Sequence, residues 1–176
     1  YLEIPQLSVE LAIYHTTEDS VMRKGAGHLP GTSLPVGGPG SHSVLSSHRG
    51  LPSAKLFTDL DKLQEGDEFY IHALDETLAY KVDKIKIVEP EDVSDLKVVE
   101  GEDYITLVTC TPYSVNTHRL LVRGVRTEYA EDESERQPLP KRALPYSWQS
   151  FLVGVPAACG IVVVLLITRK KKSHKE

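Results

Sequence analysis

Tyr104-Ile105-Thr106-Leu107-Val108-Thr109-Cys110-Thr111-Pro112-Tyr113-Ser114-Val115-Asn116-Thr117-His118-Arg119-Leu120-Leu121-Val122-Arg123-Gly124 is the stretch that decides the fold. An apolar, β-branched run ends at Cys110, Pro112 breaks it, and a second apolar run opens with His118 and Arg119. That pattern predicts two strands joined by a loop. Antiparallel pairing about the midpoint of the loop Thr111 to His118 sets Cys110 directly opposite Arg119, on one sheet face. His118 then falls on the other face, because side chains alternate along a strand. A thiol beside a guanidinium is a chemical signal, since a nearby cation favours the thiolate. The bland alternative for Cys110 is a small apolar core residue.

Upstream, the strand signals are short and frequent. Tyr1 to Tyr14 alternates loosely through Ile4, Leu7, Val9, Leu11 and Ile13 and reads as strand. Thr16-Thr17-Glu18-Asp19 offers a helix cap and an acidic first turn, followed by Val21 to Lys24 and a stop at Gly25. Gly25 to Ser41 is crowded with Gly and Pro and reads as loop, with room for a short strand at Ser33 to Val36. It lacks the Lys-Ser/Thr and helix of a phosphate cradle, so nucleotide binding is rejected. Ser43 to His48 reads as a strand ended by Arg49-Gly50, and Ser53 could cap a helical turn over Ala54 to Phe57. Glu68 to Leu74 and Thr77 to Val88 read as a hairpin turning at Asp75-Glu76, and Val93 to Leu96 as one helical turn. Many short strands with few helices predict a sandwich or a barrel, between which periodicity does not choose.

The chain has 176 residues, 40% hydrophobic and 26% charged, enough for one sizeable core with attachments. Its net charge of -5 is unevenly spread. The tail Arg169 to Glu176 has five basic residues and one acidic, +4, which leaves -9 on residues 1–168. So acidic a domain lacks the basic footprint of nucleic-acid binding, and partners should be neutral, basic or peptide-like. The two cysteines, Cys110 and Cys159, sit in unlike surroundings, so Cys110 is expected to be a free thiol. Two thiols cannot form a thiolate zinc site, and seven scattered histidines suggest no metal cluster.

After Thr127 come Glu128, Glu131, Asp132, Glu133, Glu135, Pro138, Pro140 and Pro145, a charged and proline-stiffened spacer at 129–149 that follows a folded unit at 1–128. Phe151 to Thr168 is apolar and uncharged, with Trp148 before it and Arg169-Lys170-Lys171-Lys172 after it. We expect a transmembrane helix at 150–168, a cytoplasmic basic tail at 169–176 and the folded unit outside. The alternative is a buried core helix. An outside-facing domain needs an export signal, expected N-terminal to Tyr1.

A nucleophilic thiol needs an acid–base partner. His48 ends a strand beside a glycine turn and leads on position, whereas His118 faces away. At this point the residues resemble a known family. Thr106-Leu107-Val108-Thr109-Cys110 is similar to the TLxTC signature of sortases, the surface transpeptidases of Gram-positive bacteria. Leu34 to Gly38, His48 to Phe57, and Cys110 to Tyr113 through Asn116 to Leu120 resemble the class C, or pilus-assembling, branch. The resemblance covers about Leu7 to Arg126 and the C-terminal anchor.

The resemblance implies a mostly β, closed eight-stranded barrel with short helices and a catalytic trio. Cys110 would be the nucleophile, His48 the general acid and base, and Arg119 the stabiliser of the oxyanion. Thr109 would help shape the peptide site, although alternation turns it away from Cys110 and makes packing an equal reading. Tyr113 and Asn116 lie in the loop, as turn formers or substrate contacts. The implied partners are pilin subunits with LPXTG-like sorting signals and an acceptor lysine. No metal or organic cofactor is implied. An N-terminal lid carrying an Asp and an aromatic residue is also implied, and would precede Tyr1. Other readings are a sortase that uses a peptidoglycan amine, a cysteine protease that uses water, and an inert surface scaffold.

Overall fold

The computed structural model describes residues 1–129. Most of the expected spacer, the apolar span at 150–168 and the basic tail at 169–176 lie outside the described residues. Among those described, no helix is long and apolar enough to cross a membrane.

Nine strands form one sheet: β1 (Leu2–Ile4), β2 (Val9–Leu11), β3 (Ile13–His15), β4 (Ala26–His28), β5 (Ser41–Ser46), β6 (Glu68–Ala73), β7 (Glu76–Val88), β8 (Asp103–Thr111) and β9 (His118–Thr127). The single short α-helix of the described residues is α1 (Asp19–Met22). The strand order is β2-β1-β6-β7-β9-β8-β5-β4-β3. Its two edges, β2 and β3, are consecutive in the chain and separated only by Ala12. Ala12 is itself tied to β4, its carbonyl accepting from the Ala26 amide at 3.0 Å. The backbone therefore bends the sheet round into a nearly closed barrel. The ladder has nine strands and an open seam, where the resemblance implies eight and full closure. Taken as one strand interrupted at Ala12, β2 and β3 bring the count to eight.

The barrel fills because alternate residues point inward. Ile105 and Leu107 of β8, Leu120 and Val122 of β9, and Phe69 and Ile71 of β6 all join the buried core. Burying each such side chain contributes about 1.5–3 kcal/mol relative to leaving it exposed. Phe57 and Leu60, from the connection between β5 and β6, fill out the same core and are fully buried. Tyr80 stacks on Phe69 with ring centroids 5.7 Å apart and donates its hydroxyl to Asp103 at 3.0 Å. Burial pushes its phenol well above the usual range.

Several local expectations are corrected. The N-terminal run is three strands rather than one, because Pro5 opens a 3-10 turn over Pro5–Leu7. Helix α1 starts after Glu18 with no side-chain cap, so neither Thr16 nor Thr17 caps it. β4 lies inside the stretch read as loop. Its Gly27 is required by close approach, since a Cβ there would sit 2.4 Å from the Thr16 carbonyl oxygen. Ser33 to Val36 forms no strand. The strand expected over Ser43 to His48 runs two residues earlier, leaving His48 beyond its end. No helix follows Ser53, and the nearest helical turn is a 3-10 turn at Leu60–Lys62. The β6–β7 hairpin turns at Leu74-Asp75, since Ala73 pairs with Glu76.

Candidate active site

β8 and β9 pair antiparallel from Tyr104 with Val125 to Thr111 with His118, and Cys110 stands opposite Arg119. Residues in such a pair have Cα atoms about 4.5–5.5 Å apart. Ile105, Leu107, Leu120 and Val122 face the core, so Val108, Cys110, Arg119 and Leu121 occupy the outer face. His118 has core parity at the strand end, where its Nε2 lies 3.2 Å from Glu89. Loop symmetry thus predicted the register, and the alternation of apolar residues the face.

His48 reaches the same place by a different route. β5 pairs parallel with β8 from Ser41 with Asp103 to Ser46 with Val108. The Ser47 amide donates to the Val108 carbonyl at 3.2 Å, and the Thr109 hydroxyl to the Ser47 carbonyl at 2.9 Å. Carried two residues beyond the ladder, this register brings His48 level with Cys110. Cys110 and Arg119 are thus a cross-strand pair, and His48 stands two residues past the last pair of the adjoining strand, with its own side-chain bond going to Asp19.

Each member has its own support. Cys110 is a free, half-buried thiol. Arg119 Nη1 donates to the carbonyls of His118 at 3.0 Å and Asn116 at 3.3 Å, which leaves its other donors available. Asn116 has φ of 62°, a turn conformation that explains its type there. His48 Nε2 lies 2.9 Å from Asp19 Oδ1 and donates there, which leaves Nδ1 as the ring nitrogen not engaged by Asp19. Arg23 first, and then His48, hold the Asp19 carboxyl below its ordinary value. The His48 carbonyl accepts from the amide of buried Phe57 at 3.1 Å.

Thr109, which the resemblance assigns to the peptide site, is buried with its hydroxyl already committed to Ser47. Its side chain turns to the core, the packing position that alternation gives it. Sequence reasoning missed three supporting residues: Asp19, Ser47 and Arg49. Asp19 was visible as an acidic first turn, but nothing in the sequence pairs it with His48. The Ser47 hydroxyl donates to the Gly25 carbonyl at 2.7 Å, and Arg49 bonds both Thr111 and Asp61.

A groove of about 270 Å³ runs over the outer face to Arg119, floored by Val44, Val108 and Leu121 and walled by Pro90, Val93 and Leu96. Its wall is held down by Asp95, which bridges Lys84 and Lys86, and by His42. His42 Nδ1 faces the Lys97 carbonyl at 2.9 Å and must donate, so Nε2 accepts from Thr106 at 2.7 Å. Burial lowers the pKa of His42. The lining is mainly apolar, with Thr17, Ser46 and Asp92 as its polar members and Arg119 as its one cation, which suits an extended peptide that passes beside Arg119. Among the described residues no three His, Cys, Asp or Glu side chains gather as a metal would require.

The family model described as Sortase domain matches residues 2–127. The chain belongs to the sortase family, a family of transpeptidases. It is 30% identical over 113 residues to sortase D of Bacillus subtilis and 30% over 125 residues to sortase A of Bacillus anthracis. Those matches take in 64% and 70% of this chain but 54% and 57% of the relatives, so the chain spans little more than half their length. Among solved structures, this sortase is similar to sortase C1 of Streptococcus suis at 57% identity, with a TM-score of 0.74 over 76% of this chain and 74% of that one. It also resembles sortase C-1 of Streptococcus pneumoniae at 55% identity and TM-score 0.72, covering 73% and 66% of the two chains. The Pilus Island 1 sortase C2 of Group B Streptococcus is similar at 57% identity and TM-score 0.70, covering 72% of each. Within the family, the class C branch is therefore where its likeness lies.

Proposed function

We propose that this sortase is a membrane-anchored cysteine transpeptidase that polymerises pilin subunits. The observation that carries the proposal is the register of Cys110 with Arg119, which lines a mainly apolar groove, with His48 on the adjoining segment. The Cys110 thiol gives its proton to His48, and the resulting thiolate attacks the threonine carbonyl of an LPXTG-like sorting signal. Negative charge develops on that oxygen, where the Arg119 donors left over from its loop contacts can stabilise it. His48 protonates the departing amine, the peptide bond breaks, and a thioester to Cys110 remains. A lysine amine of another subunit then attacks the thioester, His48 takes the amine proton, and Cys110 leaves as thiolate. The product is an isopeptide bond. The thioester conserves the energy of the cleaved peptide bond, so no nucleotide is consumed.

Likeness to a Pilus Island sortase supports pilin as the substrate class. The apolar run Phe151 to Thr168 and the basic residues after it support a single-pass anchor, with the barrel outside and the C-terminus in the cytoplasm. The test is incubation of the full chain with a sorting-signal peptide and, in turn, a pilin bearing the acceptor lysine and a peptidoglycan amine, followed by mass spectrometry of the junction. Cys110→Ala must lose both thioester and polymer while keeping the fold. Polymer formed by that variant would overturn the proposal. Acceptance of the wall amine alone would reassign the enzyme to cell-wall attachment, and product that is only hydrolysed would make it a protease.

A further inference from the structure

We propose that Arg49 is a positioning residue for acyl transfer: its guanidinium, clamped by Asp61, ties the segment carrying His48 to the strand carrying Cys110 and sets their spacing. This rests on the acyl-transfer roles of those two residues. Arg49 directly follows His48, and Thr111 directly follows Cys110. Arg49 Nη1 donates to the Thr111 hydroxyl at 3.3 Å and Nη2 to Asp61 Oδ2 at 2.5 Å.

The contact lies where the backbone stops helping. The ladder between β5 and β8 ends with the Ser47 amide on the Val108 carbonyl, and the next backbone bond on this segment runs from Phe57 to the His48 carbonyl, away from β8. What spans from residue 49 to residue 111 is the arginine side chain.

Stability is a poor account of this arrangement. The Arg49 side chain is only 8% exposed, its partner Asp61 is 49% exposed, and its Nε is buried with no partner. A desolvated charge with one donor orphaned costs folding free energy, and a buried ion pair is seldom more stabilising than apolar residues in its place. The planar fork reaches both partners at once, which a lysine ammonium on a flexible stem does not. Tyr113, from the loop after Cys110, sets its ring 5.9 Å from the guanidinium carbon and covers it. Arg49 thus grips both sides of Cys110's loop junction. Arg49, Asp61 and Thr111 do not line the groove, so loosening this clamp should disturb proton transfer and leave peptide binding intact.

The test compares Arg49→Lys, Asp61→Asn and Thr111→Val in the full chain by two readouts. One is kcat and KM for cleavage of a fluorogenic sorting-signal peptide. The other is the pH dependence of Cys110 alkylation by iodoacetamide, which needs no substrate. Arg49→Lys should lower kcat about 10- to 100-fold, as a displacement on the order of 1 Å does, with KM little changed. Its alkylation profile should move to higher pH, because the thiolate loses a well-placed imidazolium neighbour. Thr111→Val, which deletes one hydroxyl, should move both readouts in the same direction by less, and Asp61→Asn should fall between. The double variant Arg49→Lys/Thr111→Val should be no worse than Arg49→Lys alone. Unchanged kcat per folded molecule and an unmoved alkylation profile would overturn the proposal. Should Arg49→Lys not fold, Thr111→Val decides by the same two readouts. If the wild type cleaves no sorting peptide, the acyl-transfer roles fail, while the alkylation profiles still decide whether Arg49 sets the surroundings of Cys110.

Discussion

Thr109 donates its hydroxyl to the carbonyl of Ser47 at 2.9 Å, joining the residue before Cys110 to the residue before His48. Both are buried. Thr109→Val keeps the shape of the side chain but leaves the Ser47 carbonyl without this donor, a loss that costs about 1–3 kcal/mol when the acceptor is buried. Chemical denaturation should show that decrease in stability. Acylation by the folded fraction should slow with little change in KM, because the hydroxyl does not face the groove. Wild-type stability and rate in this variant would remove Thr109 from the support of the site.

The groove wall should loosen in acid. Lys84 first, and Lys86 second, hold the Asp95 carboxyl down to about 2 from an ordinary 3.8. A carboxylate whose pKa is depressed on folding stabilises the native state above its unfolded value, and that contribution is lost as pH falls through the folded one. The segment 89–97 should therefore become more open to pepsin between about pH 4 and about pH 2. Asp95→Asn should be open already at pH 4 and change less below it. Equal cleavage of the two proteins at pH 4 would show that Asp95 does not hold the wall.

The readable part of this molecule was local. The hairpin of β8 and β9 could be aligned by counting, because a short loop and clean alternation leave one register in which Cys110 meets Arg119. Three features were not readable. β4 hides among glycines that are there for close approach, Ala12 joins two edges that only tertiary structure brings together, and the parallel pairing of β5 with β8 links residues 62 apart in sequence. For the same reason Asp19 and Arg49 looked like ordinary surface charges. Their partners lie on segments that no short-range pattern brings near. The family resemblance singled out His48, but the ladder of β5 and β8 explains how it comes level with the thiol.

Gly124 on β9 sits where the packing leaves no room for a side chain. A Cβ added there would lie 2.6 Å from Phe69 Cε1 and 2.9 Å from Tyr80 Cβ, and both rings are fully buried. Neither can move without displacing the other, since they stack. Gly124→Ala should destabilise the domain by about 1–3 kcal/mol through overpacking. The denaturant midpoint should fall with an unchanged slope. A midpoint equal to wild type would mean the Phe69–Tyr80 stack yields more readily than its burial implies.

Arg119 separates charge from geometry. Its Nη1 is committed to the carbonyls of Asn116 and His118, so the loop holds the guanidinium and leaves its remaining donors for the oxyanion of the proposed reaction. Arg119→Lys keeps the positive charge beside Cys110 but cannot hold the loop and present a second donor in fixed geometry. Alkylation of Cys110 should therefore proceed at close to the wild-type rate, because a cation still favours the thiolate. Single-turnover acylation should fall about 10²- to 10³-fold, the range for removing one oxyanion donor, with KM little altered. Equal losses in alkylation and acylation would mean that Arg119 acts only by its charge. Acylation at the wild-type rate would mean that it does not stabilise the transition state at all.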